Sequence, residues 1–186
     1  MSELREKALE LIDQYINNEN LKKHLLATEA LMRALARKFN ENEEIWGIAG
    51  LVHDIDWELT KENPEKHSIL GAEILEKEGF PKEIVDAVRI HNHIHNLEPK
   101  TLLEKALYSC EEMTGFIVAV ALVMPNKKLS EVTVERVMDK FKEKSFAKGA
   151  NREIIKKCEE LLGIKVEELA EICLKAMQEI SDQLGL

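Results

Sequence analysis

The chain has 186 residues, of which 45% are hydrophobic and 33% are charged. This is enough apolar material for a buried core, so the composition excludes disorder as the default expectation. Lysine and arginine number 26 against 35 aspartate and glutamate, which gives a formal charge of −9 at pH 7. Because an acidic surface repels phosphate backbones and anionic lipid, we expect neither a nucleic-acid-binding surface nor membrane-surface binding.

Apolar residues recur every three or four positions along most of the chain, which is the period of helices that bury one face. Leu9, Ile12 and Ile16 mark the first helix. Asn20 is the predicted cap of the second helix, and Asn40 is its predicted end. The predicted helices after the first span about residues 21–39, 43–53, 67–78, 82–92, 101–124, 130–141, 151–162 and 166–183.

The segment from Glu43 to His53 is apolar on several faces, which predicts a central, buried helix, and an irregular stretch follows it up to residue 66. The run from Gly115 to Met124 also predicts a buried helix, although its valines and isoleucine leave a strand open. The helix that contains this run could break near Thr114.

No segment alternates apolar and polar residues convincingly, and no Gly/Ser linker separates two halves. The sequence therefore predicts an all-α protein with a single domain over residues 1–186, in which helices 130–186 act as scaffold and pocket wall. The three cysteines lack CxxC spacing and are interpreted as buried thiols in a reducing compartment: Cys110, Cys158 and Cys173. With a charged N-terminal segment and no apolar run long enough for a bilayer, we expect a soluble, cytoplasmic protein.

All six histidines lie at or before position 95. His53 and Asp54 stand together where the buried third helix ends; alone, such a pair is an ordinary helix end followed by a turn. His24 falls on the inner face of the second helix, His67 opens the fourth and His91 closes the fifth. Four histidines and a carboxylate directed at a core need a shared partner, so the pattern indicates metal chemistry.

These residues carry a resemblance. His24 followed by the segment Gly50-Leu-Val-His-Asp-Ile-Asp56 resembles the HD-domain superfamily of metal-dependent phosphohydrolases, in which a lone histidine precedes an HD doublet and a later aspartate. The segments 66–73, 90–92 and 106–115 are similar to further family motifs. The resemblance covers about residues 20–125, and residues 144–153 resemble a tail found in a small branch of the family.

The resemblance implies an HD-type helical domain with a metal held by His24, His53, Asp54 and Glu111, and catalytic roles for Asp54 and His53. Glu111 stands where the family has aspartate, so its ligation is open: the metal shifts, a water bridges, or the position no longer binds. A second metal would take His67 and His91.

Several other residues near these motifs have less specific expected roles. Asp56 is a candidate to hold a ligand histidine from behind, and Trp57 and Tyr108 either shape a pocket or simply pack. His93 and His95 are spare histidines with no assigned role.

The expected cofactor is one or two divalent transition-metal ions, Fe, Mn, Co, Ni or Zn, because imidazole and carboxylate donors suit these better than Ca. Four basic residues are weak candidates for the substrate phosphate: Arg89, Lys144, Lys148 and Arg152. The alternative for Arg89 is a surface pair with Asp86, and for the others a solvated basic segment before a helix.

The sequence thus predicts a metal-dependent phosphohydrolase, a phosphomonoesterase or phosphodiesterase, acting on a small phosphorylated substrate such as a phosphate ester or nucleotide. Two alternatives stay open: a di-iron oxygenase of the same superfamily, and a non-catalytic metal-binding or sensor module. The amphipathic C-terminal helix either packs on the core or joins a homodimer.

Overall fold

The computed structural model describes residues 2–186, which form helices and connecting turns without any strand. Three short 3₁₀ turns lie at 64–66, 93–95 and 129–131. The α-helices within the described residues are α1 Glu3–Tyr15, α2 Glu19–Phe39, α3 Glu43–Val52, α4 Trp57–Thr60, α5 Ile69–Lys77, α6 Lys82–His91, α7 Leu102–Cys110, α8 Glu112–Leu122, α9 Val134–Lys142, α10 Arg152–Leu162, α11 Val166–Glu179 and α12 Ser181–Leu184. The all-α prediction is confirmed.

The start of α2 corrects the predicted cap. Asn18, and not Asn20, caps this helix, because its side-chain oxygen accepts hydrogen bonds from the backbone N–H groups of Asn20 and Leu21. The predicted end at Asn40 is confirmed: its φ of 56° is left-handed, which stops the helix.

The predicted helix 101–124 is two helices, and the break lies at Glu111 rather than near Thr114. The Thr114 backbone N–H and hydroxyl both donate to the Glu111 carbonyl oxygen, at 3.0 and 2.8 Å. This i to i+3 bonding tightens the chain and starts α8 at Glu112. The run that begins at Gly115 is helical, so the strand alternative is wrong.

Helices from both halves of the chain share one hydrophobic core, which extends from Ala8 in α1 to Leu184 in α12. All three cysteines are buried and free, as predicted, and burial raises the pKa of Cys158 to about 11. Among the described residues, no helix combines the length and apolarity needed to cross a membrane.

A close approach between α2 and α3 positions the site. A Cβ added at Gly50 would lie 2.7 Å from the backbone oxygen of Thr28, so only glycine lets α3 pack this closely on α2. Because His24 and His53 lie near this contact, one on each helix, the close packing brings their side chains together.

Candidate metal centre

Four histidines and four carboxylates from different elements lie close together in the structure. His24 comes from the first turns of α2 and His53 is the C-cap of α3, with Asp54 directly after it. The other members follow later in the chain: Asp56 after the doublet, His67 before α5, His91 at the end of α6, Glu111 between α7 and α8, and Glu112 at the start of α8.

One oxygen of Asp54 faces the first pair of histidines. Asp54 Oδ2 lies 3.4 Å from His53 Nε2 and 3.7 Å from His24 Nε2. Glu111 Oε2 lies 3.7 Å from the same His24 nitrogen. His24, His53 and Glu111 each offer a donor atom within 4.8 Å of the others, a spacing that could hold one metal ion.

The other oxygen of Asp54 faces the second pair. Asp54 Oδ1 lies 3.2 Å from His67 Nε2 and 3.3 Å from His91 Nε2. His53, Asp54 and His91 form a second group with ligand spacing. The structure therefore brings together all six residues predicted as metal ligands, with the Asp54 carboxylate between the two pairs.

Each histidine uses its Nδ1 atom away from the centre. His53 Nδ1 donates to the Gly50 carbonyl at 2.8 Å, and His91 Nδ1 donates to the Val88 carbonyl at 2.6 Å. The His24 Nδ1 atom lies 3.2 Å from the Thr114 hydroxyl, whose own proton goes to the Glu111 carbonyl. Hydrogen bonds of this kind fix the tautomer and leave the Nε2 lone pairs facing inward.

This donor set fits a divalent transition metal. With Nδ1 protonated on both rings, the His24 and His53 Nε2 atoms approach within 3.2 Å as two acceptors, a contact that a cation between them relieves. Imidazole nitrogens with carboxylate oxygens suit Fe, Mn, Co, Ni or Zn. The predicted cofactor class is thus consistent with the chemistry of the side chains.

Asp56 holds His67 from behind, at the place the sequence predicted. Its fully buried carboxylate accepts from His67 Nδ1 at 3.0 Å, and from the backbone N–H groups of Ser68 and Gly71 at 2.8 and 2.9 Å. Ser68 has a φ of 72°, a strained conformation for a residue other than glycine. The surrounding hydrogen bonds hold this strained turn, which aims His67 at Asp54.

His95 and Asn92 explain part of the remaining histidine cluster. His95 Nε2 and the Asn92 amide donate to the His67 carbonyl oxygen at 2.7 and 3.3 Å. The 3₁₀ turn at 93–95 therefore anchors the backbone of His67, while His93 lines the cavity described below.

Burial and mutual charge set the protonation of the centre. Burial lowers the pKa of His24 and lowers that of His53 to about 3, so both rings are neutral ligands at pH 7. Burial alone would raise the pKa of Asp54, but electrostatic interactions with the surrounding imidazoles of His53, His67 and His91 hold it well below its usual range. Burial, with the neighbouring Glu112 and Asp54 charges, raises the pKa of Glu111.

The pKa of His67 shifts in the opposite direction to the pKa values of His24 and His53. Burial lowers its pKa, but hydrogen bonds to Asp54 and Asp56 outweigh this effect and raise the pKa to about 10. A metal ion at this position must therefore displace a proton from His67 at neutral pH.

The centre opens into a cavity of about 580 Å³. Its walls combine polar residues of the centre with an apolar rim. The lining residues are His24, Asp54, Trp57, Pro64, His67, His91, Asn92, His93, Ile94, Glu111, Glu112, Gly115, Ala147, Gly149 and Ala150. Trp57 thus shapes the pocket, and its ring packs edge-on against His67 with centroids 4.9 Å apart. Tyr108 is buried and packs elsewhere, against Lys157.

The basic residues predicted to contact phosphate do not line this cavity. Arg89 pairs with Glu76 at 3.7 Å on the outer surface, because its position on α6 faces α5 and not the pocket. Lys144 borders a separate surface cavity, which it shares with Arg152. Lys148 is exposed, between the lining residues Ala147 and Gly149.

Arg152 has a structural position. Its guanidinium donates to three backbone carbonyls, those of Phe141 at 2.9 Å, Glu143 at 3.0 Å and Phe146 at 2.6 Å. It also stacks on the Phe116 ring, 4.9 Å from the centroid. These contacts fix the loop that carries the pocket wall, and they leave the guanidinium away from the metal centre.

Thr114 and Glu112 are site residues that the sequence reasoning missed. Both follow Glu111 within one helical turn, and this spacing was the signal that could have found them. A polar side chain that follows a candidate ligand within three residues lies close to the same metal centre.

The comparisons with known proteins agree with this geometry. A sequence model of the HD domain matches residues 21–142. Ribonuclease Y of Acholeplasma laidlawii is 32% identical over 97 residues, which are 52% of this chain and 18% of that protein. Ribonuclease Y of Nitratidesulfovibrio vulgaris is 29% identical over 122 residues, 66% of this chain and 22% of that protein. The chain thus spans about a fifth of the length of these curated relatives, and no solved structure matches it significantly. Since the HD-domain match covers more than half of the chain, the protein belongs to the HD-domain family.

Proposed function

We propose that this protein is a metal-dependent phosphohydrolase that acts on a small phosphate ester or nucleotide. The observation that carries the proposal is the position of Asp54, whose two oxygens each lie within 3.7 Å of two imidazole Nε2 atoms. A carboxylate flanked in this way is suited to two metal ions, and the family supplies the hydrolytic chemistry.

The residues have distinct roles in this proposal. A bound divalent metal lowers the pKa of a water towards neutrality and polarises a phosphoryl oxygen. His24, His53 and Glu111 would hold one ion, His67 and His91 a second, and Asp54 both. Asp54 and His53 would be catalytic, since they fix the reacting centre at the bottom of the cavity, and Asp54 would also orient the attacking water.

The size of the cavity supports a small substrate. A volume of about 580 Å³ lies within the range of pockets for small molecules. The net charge of −9 disfavours binding of a long polyanion. A phosphodiester within RNA is the second candidate, because the relatives reported above are ribonucleases by name.

The test is hydrolysis of a panel by the full chain loaded with Mn²⁺, Fe²⁺, Co²⁺, Ni²⁺ or Zn²⁺. The panel contains a phosphomonoester, a cyclic and a linear phosphodiester, nucleotides and a short RNA. We expect release of phosphate or alcohol from a small ester, and its loss in His53→Ala and Asp54→Ala. Asp139→Ala, at an exposed carboxylate that pairs with Lys142 outside the cavity, is the control for folding and background.

Two results would contradict the proposal. Metal-dependent oxygen uptake without hydrolysis would identify the di-iron oxygenase alternative. Substoichiometric metal, together with a melting temperature unchanged by chelation, would identify a non-catalytic module.

A further inference from the structure

The cavity wall is unusual for a phosphate-binding protein because, once His67 gives up its proton to bind metal, its charged side chains are carboxylates. Three carboxylates line it, Asp54, Glu111 and Glu112, and no lysine or arginine is among its described lining residues. In the proposed function, bound metal offsets the two carboxylates that serve as ligands. Glu112 is the carboxylate for which no metal role is assigned.

The basic side chains near the cavity contact other groups of the protein or solvent and do not face the cavity. Three backbone carbonyls engage Arg152, and Glu76 lies beside Arg89. Lys157 lies over the Tyr108 ring and beside its hydroxyl. Lys148 is exposed at the outer rim of the cavity. The inner wall therefore offers one place for a phosphate, at the metal centre, and no cation for a second anion.

Glu112 is fixed within this wall. Its Oε2 atom accepts a hydrogen bond from the Asn151 backbone N–H at 3.2 Å, which joins the start of α8 to the loop carrying Ala147 and Ala150. The side chain is only partly exposed, and what is exposed faces the cavity. Burial and the Asp54 charge raise the pKa of Glu112, whereas the Asn151 N–H lowers it, and the positive charge of bound metal would also favour the carboxylate form. In that form, Glu112 would present a negative charge to the part of a ligand beyond its phosphate.

Part of the cavity lining is apolar. Trp57 and Ile94 line the cavity, yet are 45% and 52% exposed, so their surfaces are available to a ligand. Large exposed side chains at the mouth of a polar pocket favour a flat or apolar substituent.

From this arrangement we infer that the site takes phosphate esters with a single phosphate and a neutral or cationic, partly apolar remainder, and that Glu112 is the specificity-determining residue that rejects a second anion. The inference rests on the proposed function and narrows its substrate class. Mononucleosides and aryl or amino-alkyl alcohols are remainders of this kind, whereas polyphosphates, bisphosphates and polynucleotides carry the excluded charge.

Three aryl phosphates test this inference on the metal-loaded full chain: phenyl phosphate, 4-carboxyphenyl phosphate and 4-(aminomethyl)phenyl phosphate. They share one ring and differ in the charge at its far end. The corresponding phenylphosphonates, which have no scissile ester, give dissociation constants by calorimetry without turnover. Because like charges in a confined site repel strongly, we expect the anionic member to be weaker than the neutral one by about tenfold in both kcat/KM and affinity.

Two variants of Glu112 separate the effect of its charge from the effect of its hydrogen bond to the loop. In Glu112→Gln the amide oxygen still accepts from Asn151, so the loop stays in place and the discrimination should fall to about threefold or less. In Glu112→Lys the order should invert. Glu131→Gln is the matched control, since Glu131 also accepts an asparagine backbone N–H, at 2.9 Å from Asn126, but lies outside the cavity.

The possible outcomes distinguish the two proposals. Equal hydrolysis and binding of all three esters would overturn the specificity of Glu112 and leave the phosphohydrolase intact. Ordered phosphonate binding without any hydrolysis would support the specificity and contradict the phosphohydrolase. Absence of both binding and hydrolysis would overturn both, and unchanged discrimination in Glu112→Gln would overturn the role of this residue.

Discussion

The Nε2 atoms of His24 and His53 face each other at 3.2 Å, with their Nδ1 atoms directed to acceptors on the far side of each ring. This arrangement places two lone pairs together in a buried site. It is favourable once a cation lies between the rings, and it links folding to metal binding.

Metal removal should therefore destabilise the protein. Because metal bound only to the folded state stabilises it by mass action, chelation should lower the melting temperature of the wild type. In His53→Gln the first site loses a ligand, so the shift on chelation should shrink. Calorimetric melts with and without chelator measure both effects; the substitution Asp139→Asn, at an exposed carboxylate outside the cavity, should leave the shift unchanged. Equal melting with and without chelator would contradict the link.

Asp56 should control the second site without touching a metal. In Asp56→Asn the amide N–H faces either the Ser68 and Gly71 N–H donors or the His67 Nδ1–H, so one of the contacts that orient His67 loses its acceptor. We expect the affinity for the second ion to fall by about 10- to 100-fold, as for other residues that orient metal ligands. Metal content per chain, measured after dialysis at limiting metal, should drop from two ions towards one.

The control for this variant is Asp139→Asn, since Asp139 is an exposed carboxylate paired with Lys142. Rescue of the second ion at high metal concentration would agree with a positioning role. Full occupancy at limiting metal in Asp56→Asn would contradict it.

The pH dependence of the metal-free protein should reflect His67. Its pKa in the folded state is raised to about 10, whereas an unfolded histidine titrates near about 6.5. The folded state thus binds more protons between these values, and its stabilisation from His67, complete below pH of about 6.5, is lost as pH rises towards 10. Urea unfolding at several pH values should show that the free energy of unfolding declines as the pH rises. This decline should be smaller in His67→Gln. The same decline in this variant would refute the assignment.

Arg152 should matter for stability and not for phosphate recognition. Arg152→Ala removes three hydrogen bonds to backbone carbonyls and the stacking on Phe116. We expect a loss of about 1–3 kcal/mol in the free energy of unfolding. At a temperature where the variant is folded, KM for a small phosphate ester should stay within about twofold, since no transition-state contact is lost. Lys156→Ala, at an exposed neighbour on α10, is the control. A large rise in KM in Arg152→Ala without a loss of stability would contradict this prediction and would indicate that Arg152 binds the substrate phosphate.

The difference between Arg152 and His53 shows what the sequence could predict. Helices follow from local apolar spacing, and the positions of His24, His53 and His91 follow from the helix faces and ends they occupy. Their convergence came from the family resemblance. The contacts of Arg152, Arg89 and Glu112 depend on which helices pack together, and this tertiary information is absent from a local pattern. The cap at Asn18 was missed because three asparagines stand within positions 17–20, and only the backbone geometry decides among them.

An anomalous-scattering map of metal-loaded crystals tests directly whether Asp54 lies between two metal ions. We expect one peak beside His24, His53 and Glu111 and a second beside His67 and His91, with an Asp54 oxygen contacting each. A map collected at the metal edge with no peak within coordination distance of Asp54 would contradict this expectation.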